Sequence, residues 1–527
     1  MPLGTAFRIV DNVETVAPRM SIVSKSAARR RRLTTESAIK AFFGSNALVA
    51  IVVLALITIF LFREGFGFFS QNLANLRLYR RAGLEYVDII RGQAQTHAAL
   101  SRQLGEIRLR EARTIPSASG LEAFDQFAAA FSDSGEFLNA LVSDANDQAL
   151  ALREALIAGG SPSAVSSAEA QPPPETAAPV DPRAAMTALR SGDDKFPKIA
   201  EAMKAKIDNL LAAPPVLSNS RAKQSFETWK KKTRDYLAQF PAVSRHLREW
   251  NPDEPVPAYR AITSFLFGTN WITASFWQDW YGIIPLLVGS IMVAAVALLF
   301  AVPLGVCSAI YVSEVAARGE KSLIKPYIEF ISAIPSVVLG FFGIAVVGQA
   351  VRALSQMPFM KWVPFFPISE RLNVFTAGTL LALMAVPTIF TLAEDALRNV
   401  PRGFKEASYA LGANRLQTIA RVLVPASLSG IISAILLGLG RVIGETMVVL
   451  LCAGNRIAIP DFTQGLGAFF QPVHTMTGII AQEMGEVVRG SIHYRALFMV
   501  GLVLFALTLG INYLAQRLVA RYRMSIG

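Results

Sequence analysis

Cysteine is nearly absent from this 527-residue chain: Cys307 and Cys452 are its only two, and both fall inside long apolar runs. That scarcity excludes a disulfide framework and a cysteine-ligated zinc centre. Histidine is scarce as well. The four present (His97, His246, His474 and His493) show no metal-ligand spacing and read as structural side chains, so no metal site is expected. Charge is the third shortage. Asp, Glu, Lys and Arg supply 17% of the residues and hydrophobic side chains 52%, whereas a soluble domain carries about a quarter charged residues. Lipid is therefore part of the solvent. The formal charge of +12 does not indicate a nucleic-acid partner, because the basic residues do not interleave with aromatics and many flank apolar runs instead. A nucleotide-binding G-x-x-x-x-G-K-[ST] loop is missing throughout.

What the chain has is long apolar runs. A hydrocarbon core of about 30 Å takes roughly 20 apolar residues in a helix. Residues 41–62, 281–313, 330–351, 372–393 and 496–516 meet that length without a charge, and a further run, 422–455, is interrupted by Arg441 and Glu445. Pro303, Pro335 and Pro387 lie inside three of them, a placement that membrane helices tolerate where neighbours satisfy the freed carbonyls. The expected fold is an all-α polytopic bundle of about six spans. Residues 41–62 are expected to stay as an anchor, since Arg63-Glu64-Gly65 follows them instead of a small-x-small cleavage site. Eight Lys/Arg before residue 41, with a run at 29–32, place the N-terminus in the cytoplasm. Six spans return the C-terminus there too, beside Arg517, Arg521 and Arg523. Arg318, Lys321 and Lys325 agree, as do Arg398, Arg402, Lys405, Arg415 and Arg421. Arg352, Lys361 and Arg371 argue the other way.

This order leaves residues 63–280 as an extracytoplasmic insert. Apolar residues at helical steps among arginines predict helix over 72–113, and 121–157 and 226–250 repeat that character. Residues 159–182, with Pro172, Pro173 and Pro174 among Ser and Ala, read as a linker. The insert thus reads as a helical domain split by a flexible segment, with no catalytic constellation. Both a docking role and a ligand-sensing role are open to it. The remaining parts are a basic tail (1–40), the first span (41–62) and a membrane domain (281–527) holding an inner loop at 394–425.

That loop carries the strongest motif. It reads Glu406-Ala407-Ser408-Tyr409-Ala410-Leu411-Gly412, then nine residues, then Val422-Leu423-Val424-Pro425. A short amphipathic helix there exposes Tyr409, Ala410 and Leu411, Gly412 can end it in a left-handed conformation, and the chain turns back to the membrane near Pro425. The pattern closely resembles the EAA loop, EAA-x3-G-x9-I-x-L-P, of permease subunits in ATP-binding-cassette importers. Further segments resemble the Pst-type phosphate permeases, leaning to the PstC-like subunit. They are Phe265 to Trp271, Ala301 to Gly305 with Ala309 to Glu314, Ile334 to Gly343, Gly438 to Met447, and Ser491 to Phe498. The similarity covers about 41–70 and 260–527; the insert departs from the compact form of the family.

The resemblance implies a multi-pass subunit of the bacterial plasma membrane that moves phosphate without covalent chemistry, by alternating access. It implies a PstA-like second permease, an ATPase dimer that carries ATP and Mg, and an extracytoplasmic phosphate-binding protein. Reporting to a phosphate-sensing kinase is also implied. No cofactor is expected on this chain. Another oxyanion such as sulfate or molybdate is the alternative cargo. A membrane sensory receptor is the alternative class, and it would need a large cytoplasmic domain after the second span.

Arg441 and Glu445 are the candidate substrate-pathway residues, with Thr446 beside them. A charge at mid-membrane costs about 2.5–3.5 kcal/mol on insertion scales, and i, i+4 spacing predicts that the pair shares one helix face. Arg441 would receive a passing oxyanion and Glu445 would temper its hold; the other reading is an ion pair joining two permease halves. Gly440 and Gly444 form a GxxxG step expected to pack helices closely, not a nucleotide loop.

Overall fold

Segments this apolar can satisfy their backbone in lipid only as helix, and helix is what they form. The computed structural model describes residues 22–112, 121–159, 182–273, 275, 277–360, 362–363, 365–368 and 370–522. Six helices have the length and apolar character to cross a membrane: Lys40–Arg81, Ile284–Val315, Ser336–Gln356, Val374–Arg398, Arg415–Ile443 and Ile492–Leu518. The chain is a polytopic helical membrane protein with a helical insert after its first span. It divides into two compact units at residue 63. The first holds the membrane-length part of helix α1 (Ile22–Arg81), whose Phe43, Leu48, Ile51, Leu56 and Ile59 are all exposed, as lipid-facing side chains should be.

The insert begins where Gly83, at a φ of 72°, ends α1 and starts α2 (Leu84–Ala112). The single helix expected over 72–113 is thus two. Then come α3 (Glu122–Asp133), α4 (Glu136–Gly159), α5 (Pro182–Arg190), α6 (Gly192–Ala212), α7 (Ser220–Ala238), α8 (Phe240–Glu249) and α9 (Ala258–Leu266). The expected linker falls almost wholly on residues outside those described, but the helices on its two sides do not form separate domains: Phe127, Phe131 and Leu141 share one core with Phe196, Met203 and Trp229. Trp229 stacks on Phe226 at 5.4 Å, meets Phe131 edge-on at 5.0 Å, and donates its indole N–H to the Leu100 carbonyl at 3.0 Å. His97 is buried flat against Phe131, 4.7 Å between centroids, with Nε2 3.0 Å from the Phe131 carbonyl oxygen. Burial holds its pKa below the ordinary 6.5. A two-residue ribbon, β1 (Trp271–Ile272) against β2 (Trp280–Tyr281), leads from the insert to the bundle.

The bundle opens with α10 (Ile284–Ile310), extended by a π-helical turn at Tyr311–Val315. Helix α11 (Arg318–Ile331) follows. The third span was expected over 330–351, yet α11 stops and α12 (Ser336–Phe342) starts afresh, with Pro335 at its N-cap. Proline pushes the preceding residue to extended backbone, so Pro335 marks the start of this span and does not sit within it. A π turn at Gly343–Val347 and α13 (Gly348–Gln356) complete the crossing. Pro303 and Pro387 do lie inside helices, α10 and α14 (Val374–Arg398).

Helix α14 is the centre: 72% of its most apolar stretch is buried, against 50% for Ile284–Val315 and 22–28% for the other spans after the insert. Its neighbours approach through missing side chains. A Cβ on Gly378 would meet Val296 at 2.5 Å. The C-terminal end of α14 carries Glu394, fully buried, held by Lys325 of α11 at 2.8 Å and Arg398 at 2.7 Å. A buried carboxylate persists only with such partners. Beyond it stand α15 (Arg402–Ala410), α16 (Arg415–Thr418), a π turn at Ile419–Leu423, α17 (Val424–Ile443), α18 (Met447–Cys452), α19 (Met476–Glu483) and α20 (Ile492–Tyr522).

Candidate translocation and coupling sites

Glycine ends helix α17, where the fifth membrane-length segment closes at Ile443. Gly444 caps it, its N–H bonded to the Gly440 carbonyl at 3.2 Å, and α18 begins only at Met447. The expected continuous span over 422–455 is therefore broken between Arg441 and Glu445. The shared helix face assumed for the pair does not exist, and among the described residues no ion pair joins them. The Glu445 carboxylate turns instead to the first turn of α18, where Oε1 accepts the Met447 N–H at 3.1 Å. Arg441 is exposed, its Nη1 lying 3.5 Å from the Thr388 hydroxyl on α14. Thr446 caps α18, its carbonyl accepting the Leu450 N–H at 3.0 Å.

A break in a membrane helix frees backbone groups that must find partners. Here the Thr477 hydroxyl donates to the Glu445 carbonyl at 2.8 Å, and the Met476 N–H donates to Ser290 Oγ of α10 at 2.9 Å. The start of α19 thus braces the break. Sequence reasoning missed Thr388, Ser290 and Thr477; hydroxyls within or beside apolar segments, facing a predicted break, are the signal that would have found them.

The GxxxG expectation also needs correction within this chain. A Cβ on Gly440 would meet nothing within 4 Å, and one on Gly444 only carbonyls of its own turn, at 3.4 and 3.9 Å. The glycines that admit α14 are Gly430 and Gly438, where a Cβ would meet Ala396 at 2.4 Å and Ile389 at 2.6 Å. Spacing shows that two glycines share a face but not what that face meets.

The second site is the loop between α14 and α17. Helix α15 ends in a Schellman arrangement. Gly412, at φ 81°, donates its N–H to the Tyr409 carbonyl at 2.9 Å, and Ala413 donates to Ser408 at 3.2 Å. The Asn414 side chain then accepts the Gln417 N–H at 2.8 Å while Gln417 reaches back to the Asn414 N–H at 3.0 Å, starting α16. The buried hydroxyls of Ser408 and Thr418, 2.9 Å apart, pin the two helices into one hairpin. Pro425 sits in the first turn of α17, where proline needs no donor; the return to the membrane has begun ten residues earlier, at Arg415. Glu406 and Ala407 are exposed. So are Phe404 and Tyr409, and Leu411 (89%) and Leu416 (72%) project almost fully. Four apolar side chains thus stand exposed on one short hairpin, the kind of patch that marks an interaction surface.

The family described as "Binding-protein-dependent transport system inner membrane component" matches residues 301–524. The probable ABC transporter permease protein YqgH of Bacillus subtilis (strain 168) is 36% identical over 258 residues, 48% of this chain and 77% of its own. The phosphate transport system permease protein PstC of Haemophilus influenzae is 31% identical over 277 residues, 50% of this chain and 84% of its own. A solved structure titled as an inward-facing conformation of the MetNI methionine ABC transporter aligns at 19% identity over 46% of this chain and 94% of that chain. Its TM-score is 0.33.

Proposed function

This chain belongs to the PstC-like permease subunits of binding-protein-dependent ABC importers, and on that premise we propose that its cargo is inorganic phosphate. The observation that carries the reading is Arg441, an exposed cation beside a helix break, with no carboxylate partner among the described residues. A cation left over inside a membrane protein marks a substrate or ion route. The free guanidinium offers a fork of donors matched to a tetrahedral oxyanion. The Glu445 carboxylate, bound to its own turn, leaves that guanidinium unneutralised for the anion. Relatives named as phosphate permeases support this cargo.

The mechanism follows from the two sites. The hairpin α15–α16 meets an ATPase through Phe404, Tyr409, Leu411 and Leu416. ATP and Mg reside on that partner, and its movement reaches the break in α17, which opens Arg441 to one side of the membrane and then the other. We place both termini and the hairpin in the cytoplasm, and the insert outside with a phosphate-binding protein. A PstA-like second permease completes the path against the open Gly440 and Gly444 face. Contact with a phosphate-sensing kinase belongs to the same proposal.

The test is radiolabelled phosphate uptake in cells lacking this chain, with and without its re-expression, under excess sulfate or molybdate. Restored uptake that neither competitor lowers supports phosphate. Restoration abolished by one of them transfers the cargo to that oxyanion.

A further inference from the structure

Two basic residues of the hairpin reach across to the end of the second span. Lys405 of α15 lays its ammonium on the Glu314 carboxylate, and Arg415 of α16 caps the Glu314 carbonyl and, at 3.3 Å, that of Val315. Glu314 lies 91 residues upstream, at the end of the second span, and its side chain is 9% exposed while Lys405 is 37% exposed. Two different helices of the hairpin therefore converge on one residue of a span to which neither is joined in sequence.

The site is built to be gripped. The last carbonyls of a helix lack intrahelical donors and carry the negative end of its dipole. Arg415 supplies donor and charge together. The span closes there with a π turn, Ala316 N–H to Tyr311 O at 2.8 Å, a geometry that recurs at functional positions. Ser313 donates to the second carboxylate oxygen at 3.2 Å, and Lys321 to the Ser313 carbonyl at 2.8 Å, so Glu314 is held from its own side as well.

We propose that Glu314 is the positioning residue through which the hairpin grips the second span, so that movement of the ATPase partner is delivered to α10 as well as to the flanking α14 and α17. The proposal rests on reading the hairpin as the ATPase-facing element. Without the grip, the hairpin rocks on its flanking helices and α10 stays behind.

The chain carries its own reporter. Cys307 on α10 is exposed, seven positions before Glu314, and the other cysteine, Cys452, is buried. The experiment measures maleimide labelling of Cys307 in the complex assembled with its ATPases, with and without ATP. Labelling is read by the mass shift of this chain and normalised to hydrolysis per complex. Wild type should show an ATP-dependent change of at least about fivefold, the lower end of ordinary coupling between sites. In Glu314→Gln, and independently in the more exposed Lys405→Met, that change should shrink to under about twofold, a greater loss than any fall in hydrolysis. A wild-type labelling rate indifferent to ATP, or full ATP dependence in both variants, overturns the proposal. Leu411→Asp serves as the separate control: if it leaves ATPase association intact, the docking reading fails, and the Glu314 and Lys405 results still stand or fall alone.

Discussion

Arg441 sets the problem at the residue scale, because a cation in a membrane protein is neutralised, hydrated or used. Its expected partner faces away, and a 3.5 Å approach to Thr388 neutralises nothing. Arg441→Ala should lower phosphate uptake at least about a hundredfold, the range of a removed transition-state donor, with normal amounts of assembled complex. Arg441→Lys should retain more, as a point charge lacking the fork. Equal uptake by wild type and Arg441→Ala would remove the residue from the path. His97 yields a second expectation. Burial lowers its folded pKa below the unfolded 6.5, so the unfolded chain binds the proton more readily. The stability owed to the neutral, stacked imidazole is therefore complete above pH 6.5 and is lost as the pH falls through the folded value. Circular-dichroism melts should show a lower melting temperature at pH 5.5 than at pH 7.5, and His97→Gln should flatten that dependence.

Elements differ in how legible they were. Apolar length alone located the six spans, since lipid leaves a long apolar run only one fold. The ends of the third and fifth were misjudged for a shared reason: hydropathy does not report where the hydrogen-bond ladder stops. Pro335 starts a helix within an uncharged apolar run, and Gly444 ends one between the charges of Arg441 and Glu445, which mark the run without showing where its helix stops. Helices α5 and α6 escaped notice because charged residues dilute their apolar stripes, whereas the turn at Gly412 was readable because one residue type fits a positive φ. Of the candidate sites, the α15–α16 hairpin was legible from spacing. The brace by Thr477 was not, because 32 residues separate it from Glu445. Thr477→Val should leave the Glu445 carbonyl without its donor at a cost of about 1–3 kcal/mol. It should show as a lower melting temperature of the complex; an unchanged melt would mean that the break needs no brace. Gly412→Ala should strain the left-handed turn by about 1–2 kcal/mol and lower the share of complexes that retain their ATPases on purification.

The whole molecule joins two kinds of packing. In the insert, water drives aromatic side chains around Trp229 into a core, and Trp229→Ala should cost about 3–5 kcal/mol there. Between the spans, lipid is as apolar as leucine, so close approach through small residues such as Gly378 and Gly438 takes over. Both serve one arrangement: a central α14, a broken α17 beside it, and a hairpin that joins them; the proposed mechanism moves the two spans through that hairpin. The most direct measurement of that account is ATP-dependent phosphate accumulation by proteoliposomes holding the complete purified importer, with the wild-type chain and with Arg441→Ala in parallel. The account predicts accumulation in the first, none in the second, and ATP hydrolysis in both. Accumulation at the wild-type rate by Arg441→Ala, or none by the wild type while it hydrolyses ATP, would contradict it.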